Sequence, residues 1–237
     1  MSSKFMDWLQ RRHYTFLLAT LLLFLLAYPY LEGRGSVKEW LLQSIFLGTL
    51  VVAIDKLNPG KWDLAIGSVF AIAIWLIELC LIFKFNLFGS STELVQTILT
   101  FLFYAAGTLA ALIYVMRPKH VTSETFAACA FVYLMLGVTC GQAFQLIHLT
   151  IPNSFHESGA ELGKVLTWTD FLYFSFATMT STGYGDLTPV SSQARSIASL
   201  EALIGQFYIA VIVARLVGLD KKIVPPEEKE QASNSAA

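Results

Sequence analysis

Charge is what this chain has least of: Asp, Glu, Lys and Arg make up 14% of its 237 residues, where a soluble domain carries roughly 25%. The formal net charge is −1, so the chain lacks the basic surplus that nucleic-acid binding draws on, and no nucleic-acid partner is expected. Cysteine is scarce as well. Cys80, Cys129 and Cys140 all fall inside apolar stretches, where a thiol reads as a small buried hydrophobe rather than half of a disulfide. No His/Cys/Asp/Glu cluster at metal-ligand spacing and no embedded nucleophile–base pair appears, so the residues point away from an enzyme. What is present instead is apolar: 55% of the residues are hydrophobic and the mean hydropathy is +0.60. That composition belongs to a membrane protein.

A helix crosses the bilayer core with about 20 mostly apolar residues. Six stretches meet that length: 14–31, 37–55, 62–84, 93–116, 124–149 and 192–218. A further apolar stretch, 168–180, is too short to span and reads as a re-entrant half-helix. Broken backbone at membrane depth survives only where protein or water encloses it. The expected fold class is therefore an all-α membrane protein of six transmembrane helices plus a re-entrant helix. Its parts are a cytoplasmic N-terminus with a short interfacial helix (1–13), a peripheral four-helix bundle (14–116), a cytoplasmic linker (117–123), a helix–loop–helix unit (124–218) and a cytoplasmic tail (219–237), disordered at its end. The tail is expected to be too short for a nucleotide-binding or calcium-sensing domain.

Arg11 and Arg12 ahead of the run Phe16 to Ala27 imitate a signal peptide, but no small-x-small cleavage site follows, and the first helix is expected to stay. With the N-terminus inside, eleven of the 16 Lys and Arg residues lie on the cytoplasmic side, in keeping with the positive-inside rule. The expected location is the cell (inner) membrane, multi-pass, with both termini cytoplasmic. The fourth window, Glu93 to Met116, contains no basic residue. Each charge moved through the field is worth about 2.3 kcal/mol per 100 mV, so a helix without charge gains nothing from voltage. Asp55 and Glu78, without cationic partners, read as interfacial or hydrogen-bonded within the bundle.

Between the short apolar stretch and the last window runs Thr178-Met179-Thr180-Ser181-Thr182-Gly183-Tyr184-Gly185-Asp186. Gly183 and Gly185 admit backbone conformations that a Cβ resists, which lets successive carbonyls turn to one side. Thr167 and Asp170 suit the start of the re-entrant helix, as a cap for its free amides and a charge for its positive end. The run resembles the selectivity filter of potassium channels, and residues 124–218 resemble the pore domain of bacterial potassium channels, with Pro189, Arg195 and Gly205 at matching spacing. The resemblance implies that Ser181, Thr182, Gly183 and Tyr184 offer carbonyls that replace the hydration shell of potassium, that Gly185 completes the filter, and that the Ser181 hydroxyl forms the innermost ring. It implies an aromatic collar of Tyr173, Phe174 and Phe176, with Tyr173 donating to Asp186 behind the outer mouth. Gly205 matches a hinge glycine of the inner helix, or serves close helix packing.

One such loop per chain cannot close a four-fold filter, so a homotetramer in lipid is expected. Potassium is the permeant ion and no cofactor is implied. The filter departs from the usual Thr-Val-Gly-Tyr-Gly at Ser181 and Thr182, and Ala177 stands where many such channels carry a glutamate. Glu201, a carboxylate in the last span, is expected either to support the filter from behind, bonding Thr182 or pore-helix hydroxyls, or to be satisfied elsewhere in the helix packing. Gln206 is placed near the cavity, and His148 and His156 near the outer loop. The function implied is passive potassium conduction that is not conventionally voltage-gated. A weakly selective cation channel, a non-conducting regulatory subunit and a transporter subunit are the competing classes.

Overall fold

The computed structural model describes residues 13–31, 72, 76, 92–116, 122–159 and 165–220. The window at 37–55, that at 62–84 apart from Ile72 and Leu76, Asp55, Glu78, Cys80, the interfacial segment 1–12 and the tail beyond 220 lie outside these residues. Among the described residues the elements with given bounds are, in order, α1 (His13–Leu31), α2 (Thr92–Met116), α3 (Ser123–Thr150), β1 (Phe155–Glu157), α4 (Trp168–Met179), β2 (Leu187–Pro189) and α5 (Ser192–Asp220). Among the described residues, Thr92–Met116, Ser123–Thr150 and Ser192–Gly218 are long and apolar enough to cross a membrane. α4 has 12 residues, which at about 1.5 Å each reach only halfway through a hydrocarbon core of about 30 Å.

α3 is the hub, packing against α1, α2, α4 and α5. Its start is fixed by Thr122, whose hydroxyl accepts from Thr125 N at 3.3 Å while Thr122 N donates to the Thr125 hydroxyl at the same distance. This capping box satisfies amides that have no partner inside the helix. Two residues on, Glu124 reaches out of α3 to begin α1: its Oε2 accepts from Tyr14 N at 3.0 Å and its Oε1 from the Thr15 hydroxyl at 2.5 Å. A carboxylate at a helix N-terminus meets both free amides and the positive end of the dipole. The contact joins the starts of α1 and α3, so the two run in the same direction.

α1 buries Tyr14, Leu17, Leu21 and Phe24, a three-four-three spacing that lays one stripe against the neighbouring helix. Phe16, Leu22, Leu23 and Leu26, on the other side, are exposed, as a lipid-facing surface requires. α2 buries small residues at helical spacing, among them Gly107, Thr108 and Ala111, which lets its backbone approach α3. The Thr108 and Thr139 hydroxyls pair across that seam at 2.9 Å.

The outer loop contains an antiparallel pair, β1 with β2, in the register Phe155–Pro189, His156–Thr188 and Glu157–Leu187. Phe155 anchors it, its ring standing edge-on to Phe144, Phe171 and Phe174. His148 lies against Phe171 with ring centres 5.2 Å apart, and His156 is exposed on β1. Cys129 and Cys140 carry free thiols. α5 continues to Asp220, two residues past the expected end of its window.

Candidate functional site

The site is the loop from Thr180 to Asp186, and α4 presents it. α4 starts where Asp170 Oδ2 accepts from Thr167 N at 2.7 Å and from the Thr167 hydroxyl at 2.8 Å. The threonine hydroxyl is thus a donor to the carboxylate, and Asp170 closes the cap expected of Thr167.

Two glycines of α3 decide how closely α4 lies. A Cβ at Gly141 would come within 3.1 Å of Leu172 Cα, and one at Gly137 within 2.6 Å of the Phe176 ring. Sequence reasoning missed both, although Gly-x-x-x-Gly in an apolar helix is a known close-packing signal. The Ser175 hydroxyl of α4 then lies within hydrogen-bond reach of both Gly137 O, at 2.6 Å, and Glu201 Oε1, with one proton to share between them. Phe176 packs under Gly137, and Phe174 joins Phe144 and Phe155. Within the chain these two rings face α3 and β1, a packing compatible with the expected collar.

At its end α4 turns straight into the loop. Ala177 O accepts from Thr182 N at 2.9 Å and from Gly183 N at 3.1 Å, and Thr178 O accepts from Ser181 N at 3.0 Å. Ala177 therefore contributes through its carbonyl, a role its side chain gives no hint of. The amides of Ser181, Thr182 and Gly183 are committed to the helix end, whereas among the described residues no donor reaches the carbonyls of Ser181, Thr182, Gly183 or Tyr184. The φ angles explain how the ribbon holds this shape: Ser181 (60°), Gly183 (55°) and Gly185 (81°) are left-handed, and Thr182 and Tyr184 between them are not. Glycine takes that conformation freely; a serine there is uncommon. Nothing lies within 4 Å of where a Cβ would project from Gly183 or Gly185. Residues 180–186 are exposed in the single chain, Tyr184 to 70%.

Tyr173 Oη donates to Asp186 Oδ2 at 2.8 Å, and Asp186 Oδ1 accepts from Leu187 N at 2.9 Å. The Tyr173 and Tyr184 rings stack, 5.9 Å apart and 13° from parallel. The Thr182 hydroxyl pairs with that of Thr180 at 2.8 Å. Glu201, 2% exposed, bonds the Ser175 hydroxyl of α4, one of the re-entrant-helix hydroxyls expected as its partner.

α5 closes the site from behind. A Cβ at Gly205 would stand 2.7 Å from Met179 O, so a close approach to the end of α4 is reason enough for a glycine there, and α5 runs unbroken through it. Gln206 reaches Ser181 with Nε2 to Oγ at 3.0 Å. Tyr208 donates to Cys129 O at 2.8 Å. Arg215 Nη1 donates to Val115 O at 2.6 Å and Nη2 to Met116 O, a cation capping the free carbonyls and negative end of α2. Its place among the positive-inside charges gave no sign of this partner.

Among the described residues, no group of His, Cys, Asp and Glu could hold a metal ion. The site offers carbonyls without a donor among the described residues, and exposed hydroxyls, between membrane-length helices. In keeping with this, residues 121–219 match the family model described as ion channel. Two curated proteins named LctB are similar. That of Bacillus caldotenax is 40% identical over 88 residues, covering 37% of this chain and 58% of the relative. That of Geobacillus stearothermophilus is 43% identical over 70 residues, covering 30% and 49%. The chain spans about half the length of the curated relatives it matches. No solved structure matches the chain significantly.

Proposed function

We propose that the chain is a potassium-selective channel that conducts passively through a homotetrameric pore. The observation that carries this reading is the loop backbone: alternating left-handed residues at Ser181, Gly183 and Gly185, with the amides of Ser181, Thr182 and Gly183 bonded back to α4. Such a ribbon leaves its carbonyls to a cation, and rings of carbonyls from four chains replace the water of a dehydrated potassium ion. In this reading Ser181, Thr182, Gly183 and Tyr184 supply the oxygens, Gly185 and the Asp186–Tyr173 pair hold the outer mouth, and α5 lines the cavity. Thr180 to Asp186, exposed in one chain, face the other copies and the ion path. The aligned amides of α4 direct their negative end at the cavity below the filter, where a cation is favoured.

Six crossings fit the parallel course of α1 and α3. With α2 running against them, the number of crossings between α1 and α2 must be even, and the apolar windows at 37–55 and 62–84 supply two. The inner membrane with both termini cytoplasmic is the matching placement. Without basic residues on α2, the peripheral helices do not drive opening through voltage.

Liposomes loaded with potassium salt and carrying the purified full chain test the proposal. Potassium efflux down its gradient, with sodium efflux at least tenfold slower and a particle mass of four chains, is the expected result. The departures at Ser181 and Thr182 favour the second reading, a weakly selective cation channel; equal potassium and sodium fluxes would establish it.

A further inference from the structure

Ser181 lacks the methyl with which a threonine restricts its own side chain, so its hydroxyl has the ordinary staggered positions open to it. The structure supplies a restraint from elsewhere. Because Gly205 has no Cβ to keep α5 away from Met179 O, α5 lies against the end of α4. The next residue, Gln206, then reaches Ser181, and its Nε2 donates to Ser181 Oγ at 3.0 Å. Gln206 is the one carboxamide in the apolar run 202–214, where an amide without a polar partner is costly. Both residues are exposed in the single chain, so no crowding forces them together.

We propose that Gln206 is a positioning residue for the innermost ion site, holding the Ser181 hydroxyl in one rotamer in place of the missing methyl. This rests on the potassium-channel reading. A hydroxyl has two lone pairs and one proton. Accepting from Gln206 uses one lone pair and leaves the other for the ion, without placing a charge in the cavity. Four such pairs, one per copy, order the lowest ring. Leucine at 206 has nearly the same size and no donor. Asparagine keeps the donor but is a methylene too short to reach.

The experiment is planar-bilayer recording from the full chain, with barium as the probe added on the cytoplasmic side. Barium is close to potassium in size with twice the charge, so its block reads the affinity of the filter's inner end. The arms are the wild type, Gln206→Leu, Gln206→Asn, Ser181→Thr and the Ser181→Thr/Gln206→Leu double variant, each checked as a tetramer on native gels. Both single Gln206 variants are expected to weaken barium block by about fivefold, the factor one intramolecular hydrogen bond contributes. In the threonine background Gln206→Leu is expected to change block less than twofold, because the methyl then fixes the rotamer. Unchanged block in Gln206→Leu, or the same loss in both backgrounds, overturns the proposal. A wild-type chain that carries no potassium current overturns the channel reading and this proposal with it.

Discussion

Gly205→Ala separates the two reasons for a glycine in α5. Alanine is the better helix former by about 1 kcal/mol, so if Gly205 were only a flexible hinge, the variant should be as stable as the wild type or more so, with an altered open probability. Contact geometry predicts the opposite sign. The added Cβ meets Met179 Cγ at 2.6 Å and Met179 O at 2.7 Å. The methionine side chain can swing away; the carbonyl belongs to the backbone that leads into Ser181. α5 must then retreat by about half an ångström, and overpacking of this kind typically costs about 1–3 kcal/mol. Net of the helix gain, each subunit loses about 0–2 kcal/mol, multiplied over the copies of an assembly. The assay is the midpoint of thermal dissociation of the purified assembly in lipid nanodiscs, read by native electrophoresis. A lower midpoint for Gly205→Ala is expected, partly recovered by Met179→Ala/Gly205→Ala only as far as the side-chain clash contributes. A raised midpoint would refute the packing of Gly205 against Met179.

Further predictions follow from the same contacts. Gly141→Ala should lower the same midpoint by an amount equivalent to about 1–3 kcal/mol, since its Cβ is opposed by Leu172 backbone; a neutral result would mean α3 and α4 are not in contact as described. Ser175→Ala strips the buried Glu201 of its hydroxyl partner and should cost about 1–3 kcal/mol, whereas Glu201→Gln keeps an oxygen for Ser175 and should cost less than Glu201→Leu; equal costs would show that the bond contributes nothing. Arg215→Met removes both donors to the end of α2, with an expected loss of about 1 kcal/mol in the same melt and faster hydrogen exchange confined to the last turn of α2; unchanged exchange there would contradict the cap. Tyr173→Phe deletes the donor to Asp186 and should make the current decline faster in low external potassium, measured in bilayers; an unaltered time course would refute a supporting role for that bond.

The helices were legible because membrane burial imposes length and polarity on each one independently: the windows 93–116, 124–149 and 192–218 fall within two residues of α2, α3 and the start of α5. The Tyr173–Asp186 bond was legible because the resemblance fixes both residues within one short helix–loop segment. What the sequence withheld depends on which helix lies beside which. Ser175 looks like any serine in an apolar helix until Gly137 and Glu201 flank it, and Thr182 finds Thr180 rather than Glu201 because the left-handed turn at Ser181 folds the two together. Arg215 reads as an interfacial charge until the end of α2 is placed next to it. Phe174 and Phe176 were assigned to a collar by the resemblance; what it did not give is their packing within the chain, where the close approach allowed by Gly137 and Gly141 sets Phe176 against α3 and the outer aromatic cluster takes Phe174. Gly-x-x-x-Gly at 137–141 was the one signal present in the sequence that could have found this seam.

The central claim is that the exposed ribbon from Ser181 to Tyr184 selects potassium once the assembly closes around it. The most direct measurement is the reversal potential of current through the purified full chain in a planar bilayer, with potassium salt on one side and the same concentration of sodium salt on the other. A reversal potential displaced by about 60 mV or more toward potassium selectivity is expected, corresponding to at least tenfold preference. A reversal potential near zero would contradict it.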